Sequence, residues 1–237
     1  MIIGRYNEKK PPVKGKNLNI RVALFFDGTA NNRYNVLEAD RNISVGNLYD
    51  LLRLQHGSYR LQQSNVASMA ELYRTGDIDG YEVKVFYVEG VATSPRQVVY
   101  KEGGFDSLLG SATGMGRWGI LACAKRGYRM ILRMLRDLQG RYSLRTKVTI
   151  ENLRLDLFGF SRGAAAARVF CNKLQDDYGA FKGESYTVKK IQTEFMGLFD
   201  TVTAYGFSPS AFVNGIGKLP LTAKHPLLTV HFVAADE

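Results

Sequence analysis

The chain of 237 residues contains two cysteines, three histidines and one tryptophan. Cys123 and Cys171 fall in apolar, helix-like surroundings and form neither a metal-ligand spacing nor a disulfide framework, a usage that suits folding in a reducing compartment. No apolar run approaches the roughly 18 residues of a membrane span. The opening stretch MIIGRYNEKKPPVKGK is basic and has no apolar segment behind its charges, so it does not read as a secretory signal and any export is expected to use another route. Acidic residues are also scarce, at 22 against 32 basic ones, which leaves a net charge of +10. Hydrophobic content of 45% is ordinary for a globular protein with a sizeable core.

The positive charge is concentrated. Between Arg117 and Lys147 nine basic residues face one acid, Asp137. Such a surface attracts nucleic acid or an anionic membrane, and a merely solvated helix face is the plain alternative. The basic residues are not interleaved with exposed aromatics and match no recognised module, so no nucleic-acid partner is expected.

Residues 1–19 read as a polar arm and residues 20–237 as one domain without repeats or linkers. Arg21–Asp27 is a short apolar run ending at Gly28, as in a buried strand. Asn42–Gln55 shows helical spacing. Tyr81–Val88 alternates and is rich in β-branched and aromatic residues, which predicts a strand. A loop through Pro95, Gly103, Gly104 and Gly110 leads to a long amphipathic helix over Trp118–Leu138, with Arg126, Arg129, Arg133 and Arg136 on its polar face. Leu153–Phe160 predicts a strand, Arg162–Leu174 a helix and Phe195–Phe199 a last short strand. This alternation predicts an α/β fold with a mostly parallel central sheet and helices on both faces.

The stretch LDLFGFSRGAAAARVF carries the chemistry. Gly159, Ser161 and Gly163 form the pattern G-x-S-x-G, which works where a chain turns sharply from strand to helix. The turn forces the serine into a strained backbone region and lifts its hydroxyl above the sheet, at the positive end of the helix. Both required flanks are present: an apolar strand before, and Ala164–Ala167 after. A small residue in an ordinary bend is the alternative. A serine nucleophile needs a base, and the base needs a carboxylate. Asp200 closes the later apolar strand in GLFDT, whereas Asp156 falls inside a strand and Asp176 and Asp177 lie past the helix. The oxyanion donors are expected from the amide of Arg162 and from the turn Asp27-Gly28-Thr29, with Gly28 allowing close approach and Asp27 orienting the loop. The glycine cluster at Gly110, Gly114 and Gly116 lacks the phase and the lysine-serine pair of a phosphate cradle. No metal site or cofactor is expected.

Four segments in order, FFDGTANN (Phe25–Asn32), YVEGVAT (Tyr87–Thr93), FGFSRGAAAAR (Phe158–Arg168) and GLFDTV (Gly197–Val202), resemble the α/β-hydrolase family that includes the phospholipase effectors of bacterial type VI secretion. The resemblance covers about residues 20–237. It implies a serine esterase acting on membrane glycerophospholipids, with Ser161 as nucleophile and Asp200 as its acidic partner. It further implies a protein made in the bacterial cytoplasm, carried by a secretion spike component into the periplasm of a rival cell, and restrained at home by an immunity protein. The family's histidine usually lies in a later segment of the form G-x-H-S-D-x-G-G-G, which this sequence lacks. The tail VHFVAADE resembles an earlier family element, so the domain is expected to continue past Glu237 and the base to lie there. Within the chain, His231 follows Asp200 in the order a triad requires, while His225 and His56 read as structural. An esterase of non-membrane substrates and a hydrolase-fold interaction module without a working base are the other readings.

Overall fold

The computed structural model describes residues 15–40, 62–93, 119–142, 146–176, 186–202 and 225–233. The helix expected over residues 42–55, the loop from Pro95 to Gly110, the glycine cluster, Trp118, His56 and Asp177 lie outside them. Along the chain run β1 (Gly15–Phe26), α1 (Arg33–Asp40), α2 (Asn65–Leu72), β2 (Gly76–Ile78), β3 (Tyr81–Val88), α3 (Ile120–Gly140), β4 (Lys147–Phe160), α4 (Arg162–Asp176), β5 (Tyr186–Phe199) and β6 (Leu228–Phe232). They build a six-stranded sheet of order β2-β3-β1-β4-β5-β6. Every pairing is parallel except β2 with β3.

Side-chain alternation along β1 sets the two layers. Ile20, Val22, Leu24 and Phe26 join the larger core with α3 and α4, while Ala23 and Phe25 join a second core with Val66, Ala67 and Ala70 of α2. A strand apolar on both faces is what a sheet covered by helices on both sides requires. Phe25 and Phe158, on adjacent strands, stack at 4.6 Å on the α2 side.

β1, β4 and β5 are longer than their apolar runs suggest, because polar residues extend them beyond the helices. β1 starts at Gly15, so residues 15–19 are strand and not part of an arm. In β4, buried Val148 and Ile150 alternate with half-buried Thr149 and Glu151. β2 and β3 join through Asp79 and Gly80, both with positive φ, the signature of a two-residue hairpin of the type matching strand twist.

One polar bridge crosses the α2 side of the sheet. Asp156 of β4 is buried, and its carboxylate accepts Nε of Arg21 at 2.6 Å and Nη2 at 3.0 Å. The Tyr73 hydroxyl, just past α2, donates to the same carboxylate. Burial and this bond push the Tyr73 phenol up to about 12. Asp156 is thus committed to an ion pair joining β1, β4 and α2. Arg21→Leu leaves the carboxylate with one donor and should lower the unfolding free energy by about 3 kcal/mol with an unchanged denaturant slope. A urea titration giving a loss below about 1 kcal/mol would contradict this assignment.

Candidate active site

From β1 the chain crosses to β3 on one side, then returns to place β4 on the other side of β1. The connections beyond the carboxyl ends of β1 and β4 therefore diverge, the position at which open α/β sheets usually bind ligands. The loop after β1 carries Asp27, Gly28 and Thr29, and the turn after β4 carries Ser161.

Ser161 is half-buried and has φ +54°, a left-handed conformation costly for any residue with a Cβ. Its N–H donates to the Phe199 carbonyl at 2.8 Å, and its carbonyl accepts the amides of Ala164 at 3.0 Å and Val202 at 3.2 Å. The turn is thereby tied both to its own helix and to the end of β5. Glycine is required on either side. A Cβ at 159 would sit 2.5 Å from Ala164 Cα, and one at 163 would sit 2.3 Å from the carbonyl oxygens of Phe26 and Asp27. Ala164–Ala167 are fully buried, which lets α4 press onto the sheet directly behind the serine.

The loop after β1 is organised around the buried carboxylate of Asp27. It accepts the Gly28 amide at 2.7 Å, the Ser64 hydroxyl at 2.7 Å and the Tyr87 hydroxyl. Ser64 in turn accepts the Ala67 amide and caps α2. The Gly28 N–H is therefore already engaged, and the expectation that it faces an oxyanion is corrected: a desolvated carboxylate one residue away takes the nearest donor. Among the described residues the Thr29 amide has no acceptor, and the Arg162 amide stands at the first residue of α4. Thr29 Oγ1 accepts Nη1 of the buried Arg162 side chain at 3.4 Å, which links the β1 loop to the α4 start. Burial pulls the Arg162 guanidinium below its ordinary value.

Asp200 follows β5 with φ +41°, and its amide donates to the Phe232 carbonyl of β6 at 2.9 Å. Because Ser161 N–H bonds Phe199, the serine and Asp200 stand at the same edge on adjacent turns. His231 pairs with Leu198 in the β5–β6 register and reaches this edge too. Its exposed ring accepts the Thr201 amide on Nε2 at 3.4 Å, and its described hydrogen bond goes there and not to Ser161. His225 precedes β6 beside the middle of β5, away from this edge, and its carbonyl accepts Gln192 Nε2. Among the described residues, no cluster of three or more His, Cys, Asp or Glu side chains is arranged to hold a metal ion.

The family described as "T6SS, Phospholipase effector Tle1-like, catalytic domain" matches residues 21–186, from within β1 to the first residue of β5. The chain belongs to this family. Its fold is similar to that in "Structure of the Tle1 effector bound to the VgrG spike from the Type 6 secretion system", at 23% identity and a TM-score of 0.58 over 98% of this chain. The chain spans about half of that protein's length, 49%. "Crystal structure of an uncharacterized protein from Pseudomonas aeruginosa" aligns at 21% identity and a TM-score of 0.42, over 82% of this chain and 31% of that one. No curated protein matches.

Tyr87, Ser64, Glu89 and Arg33 also lie around these loops and are not among the site residues expected from the sequence. Arg33 donates its amide to the Tyr87 hydroxyl and lays its guanidinium over the Tyr34 and Tyr87 rings, at 5.0 and 4.6 Å. Glu89 follows β3, and its carbonyl accepts Arg126 Nη2 at 2.7 Å. Arg126 is thus half-buried against β3, contrary to the expectation that it lies on the polar face of α3. The cap signal at Ser64 ahead of an apolar run was visible, but nothing local tied it to Asp27.

Burial raises the carboxyl groups of both Asp27 and Glu89, against the pull of hydrogen bonds to Asp27 and of the Arg126 charge on Glu89. A carboxyl raised on folding holds its proton in the folded state where the unfolded chain has lost it. Its contribution to stability therefore declines as pH rises from the ordinary value of 3.8 through the folded value. Asp27→Asn does not titrate. The stability difference between wild type and this variant should shift against wild type as pH rises above 3.8, as read by denaturant midpoints. A difference independent of pH would show that Asp27 is not raised.

Proposed function

We propose that this chain is a serine carboxylic-ester hydrolase of the phospholipase A type, acting on membrane glycerophospholipids through an acyl-enzyme on Ser161. The single observation that carries this reading is the left-handed backbone of Ser161 at a strand-to-helix turn, hydrogen-bonded to the strand end that bears Asp200. In the proposed reaction Ser161 Oγ adds to the ester carbonyl while an imidazole takes its proton. The Thr29 and Arg162 amides donate to the resulting oxyanion, aided by the N-terminus of α4. Collapse expels the lysophospholipid alkoxide, which takes the proton from the imidazolium. Water then attacks the acyl-enzyme with the imidazole again as base, and fatty acid and free serine result. Asp200 holds the ring's tautomer. His231 is the described histidine on the correct edge, and leaving the Thr201 amide for Ser161 would require its ring to reorient.

The solved relative is an effector bound to a VgrG spike. On that likeness, this chain is delivered by a spike component from the producing cell's cytoplasm to the target-cell periplasm, and a cognate immunity protein protects the producer. Among the described residues no helix is long and apolar enough to cross a membrane.

A second reading, a hydrolase-fold interaction module without a working base, is favoured by one observation: the His231 ring is exposed and bonded to Thr201. Fatty-acid release by the full-length protein from mixed phospholipid vesicles separates the two. Wild type should release fatty acid, and Ser161→Ala should lower the rate by at least about a thousandfold. His231→Ala should match that loss if His231 is the base, and unchanged activity would place the base elsewhere. Absence of release by wild type itself would favour the module. Profiling headgroups and short-chain esters tests whether the substrate lies in a membrane.

A further inference from the structure

We infer that the solvent face of α3 is an electrostatic docking surface for an anionic lipid bilayer. The inference relies on the phospholipase reading only for choosing a bilayer over other polyanions. Lys125, Arg129, Arg133 and Arg136 are all exposed and recur every three or four residues, which puts them on one stripe of the helix. Ile131, Leu135 and Leu138 are buried on the opposite side and hold that stripe outward.

Among the described residues none of the four cations forms an ion pair. Arg136 Nε bonds only the Leu132 carbonyl, at 3.4 Å, and the single acid on this face is the exposed Asp137. Other exposed cations do have partners, as Arg141 with Glu82 and Lys189 with Glu151. From Lys125 to Arg136 the stripe runs about 16 Å. Such a row of unneutralised charge complements a negatively charged membrane surface, which attracts each nearby Lys or Arg appreciably at physiological salt.

The position of the helix supports the same occupant. Arg126, on the second turn, bonds the carbonyl of Glu89 at the end of β3, so the start of α3 lies beside the strand ends that carry the proposed site. Leu121, 40% exposed, projects from that start as an apolar foothold. A nucleic acid fits less well. The one aromatic within the stripe, Tyr128, is half-buried with Lys173 Nζ 5.9 Å from its ring centre, which leaves no exposed ring for bases to stack on.

Full-length Ser161→Ala protein, which removes catalysis from the measurement, is sedimented with vesicles of phosphatidylglycerol and phosphatidylethanolamine, with phosphatidylcholine vesicles, and with a 20-base-pair DNA duplex. It should bind the anionic vesicles, weaken steeply with added salt, and ignore phosphatidylcholine. Replacing Lys125, Arg129, Arg133 and Arg136 together by Gln should weaken binding roughly fivefold per cation, or several hundredfold in all. Replacing the equally exposed Lys16, Arg74, Lys147 and Lys190 by Gln removes the same net charge and should weaken it less than about tenfold. In an otherwise wild-type background the stripe variant should still hydrolyse a soluble short-chain ester at the parent's rate, whichever that is. Absence of ester hydrolysis by parent and stripe variant alike would count against the catalytic reading and leave docking standing. Loss in the stripe variant only would mean that the substitutions disturb the fold and would overturn docking as the cause of weakened binding. Equal loss of vesicle binding in the two quadruple variants, no loss in the stripe variant, no binding to anionic vesicles, or stripe-dependent binding as tight to the duplex would overturn docking.

Discussion

The first turn of α4 rests on the end of β1 so closely that position 163 has no room for a side chain beside the Phe26 and Asp27 carbonyls. The rest of the site depends on that approach. It forces the reversal between β4 and α4 into one residue, Ser161, whose left-handed backbone costs about 1–2 kcal/mol. It also brings the Arg162 side chain to Thr29 and so sets the spacing between the β1 loop and the start of α4. The buried alanines behind the serine are the complement of this constraint, since larger residues would push the helix off the sheet.

Strain of the same kind marks the whole rim. Ala30, Ala92, Ser161 and Asp200 all have positive φ, and they follow β1, β3, β4 and β5 in turn. Such conformations persist only where surrounding structure over-determines them, and they gather at working sites. Here the holding bonds can be named. The Ala30 amide donates to Val91, the Gly90 amide to Asn31, the Ser161 amide to Phe199 and the Asp200 amide to Phe232. Each loop is thus braced by its neighbour, above a core in which both faces of β1 are packed. The polar contribution comes from below: Asp27, Ser64 and Tyr87 bind the β1 loop to α2 and β3, and use the Gly28 amide to do it.

The parts legible in the sequence were those with a local signature. The alternation of YEVKVFYV marks β3 at its observed bounds, and the glycine spacing around Ser161 reports the tight turn because only steric closeness demands it. The short helices α1 and α2 lack enough periodic residues to stand out, and the polar ends of β1, β4 and β5 read as loop because their pairing partners are distant in sequence. The Asp79-Gly80 pair is a local hairpin signal that marks the turn between β2 and β3. Arg126 and the Gly28 amide were misjudged. Arg126 is claimed by the Glu89 carbonyl, distant in sequence, and the Gly28 amide by the neighbouring Asp27 carboxylate, whose burial the local sequence does not reveal.

A fluorophosphonate ester reacts with a serine hydroxyl only when a base activates it and an oxyanion site receives the phosphonyl oxygen. Intact-mass and peptide analysis of the full-length protein after such treatment should show one adduct, on Ser161, abolished by Ser161→Ala and slowed by Asp200→Asn. No adduct, or an adduct on another residue that survives Ser161→Ala, would mean that the turn between β4 and α4 shapes the fold without activating its serine.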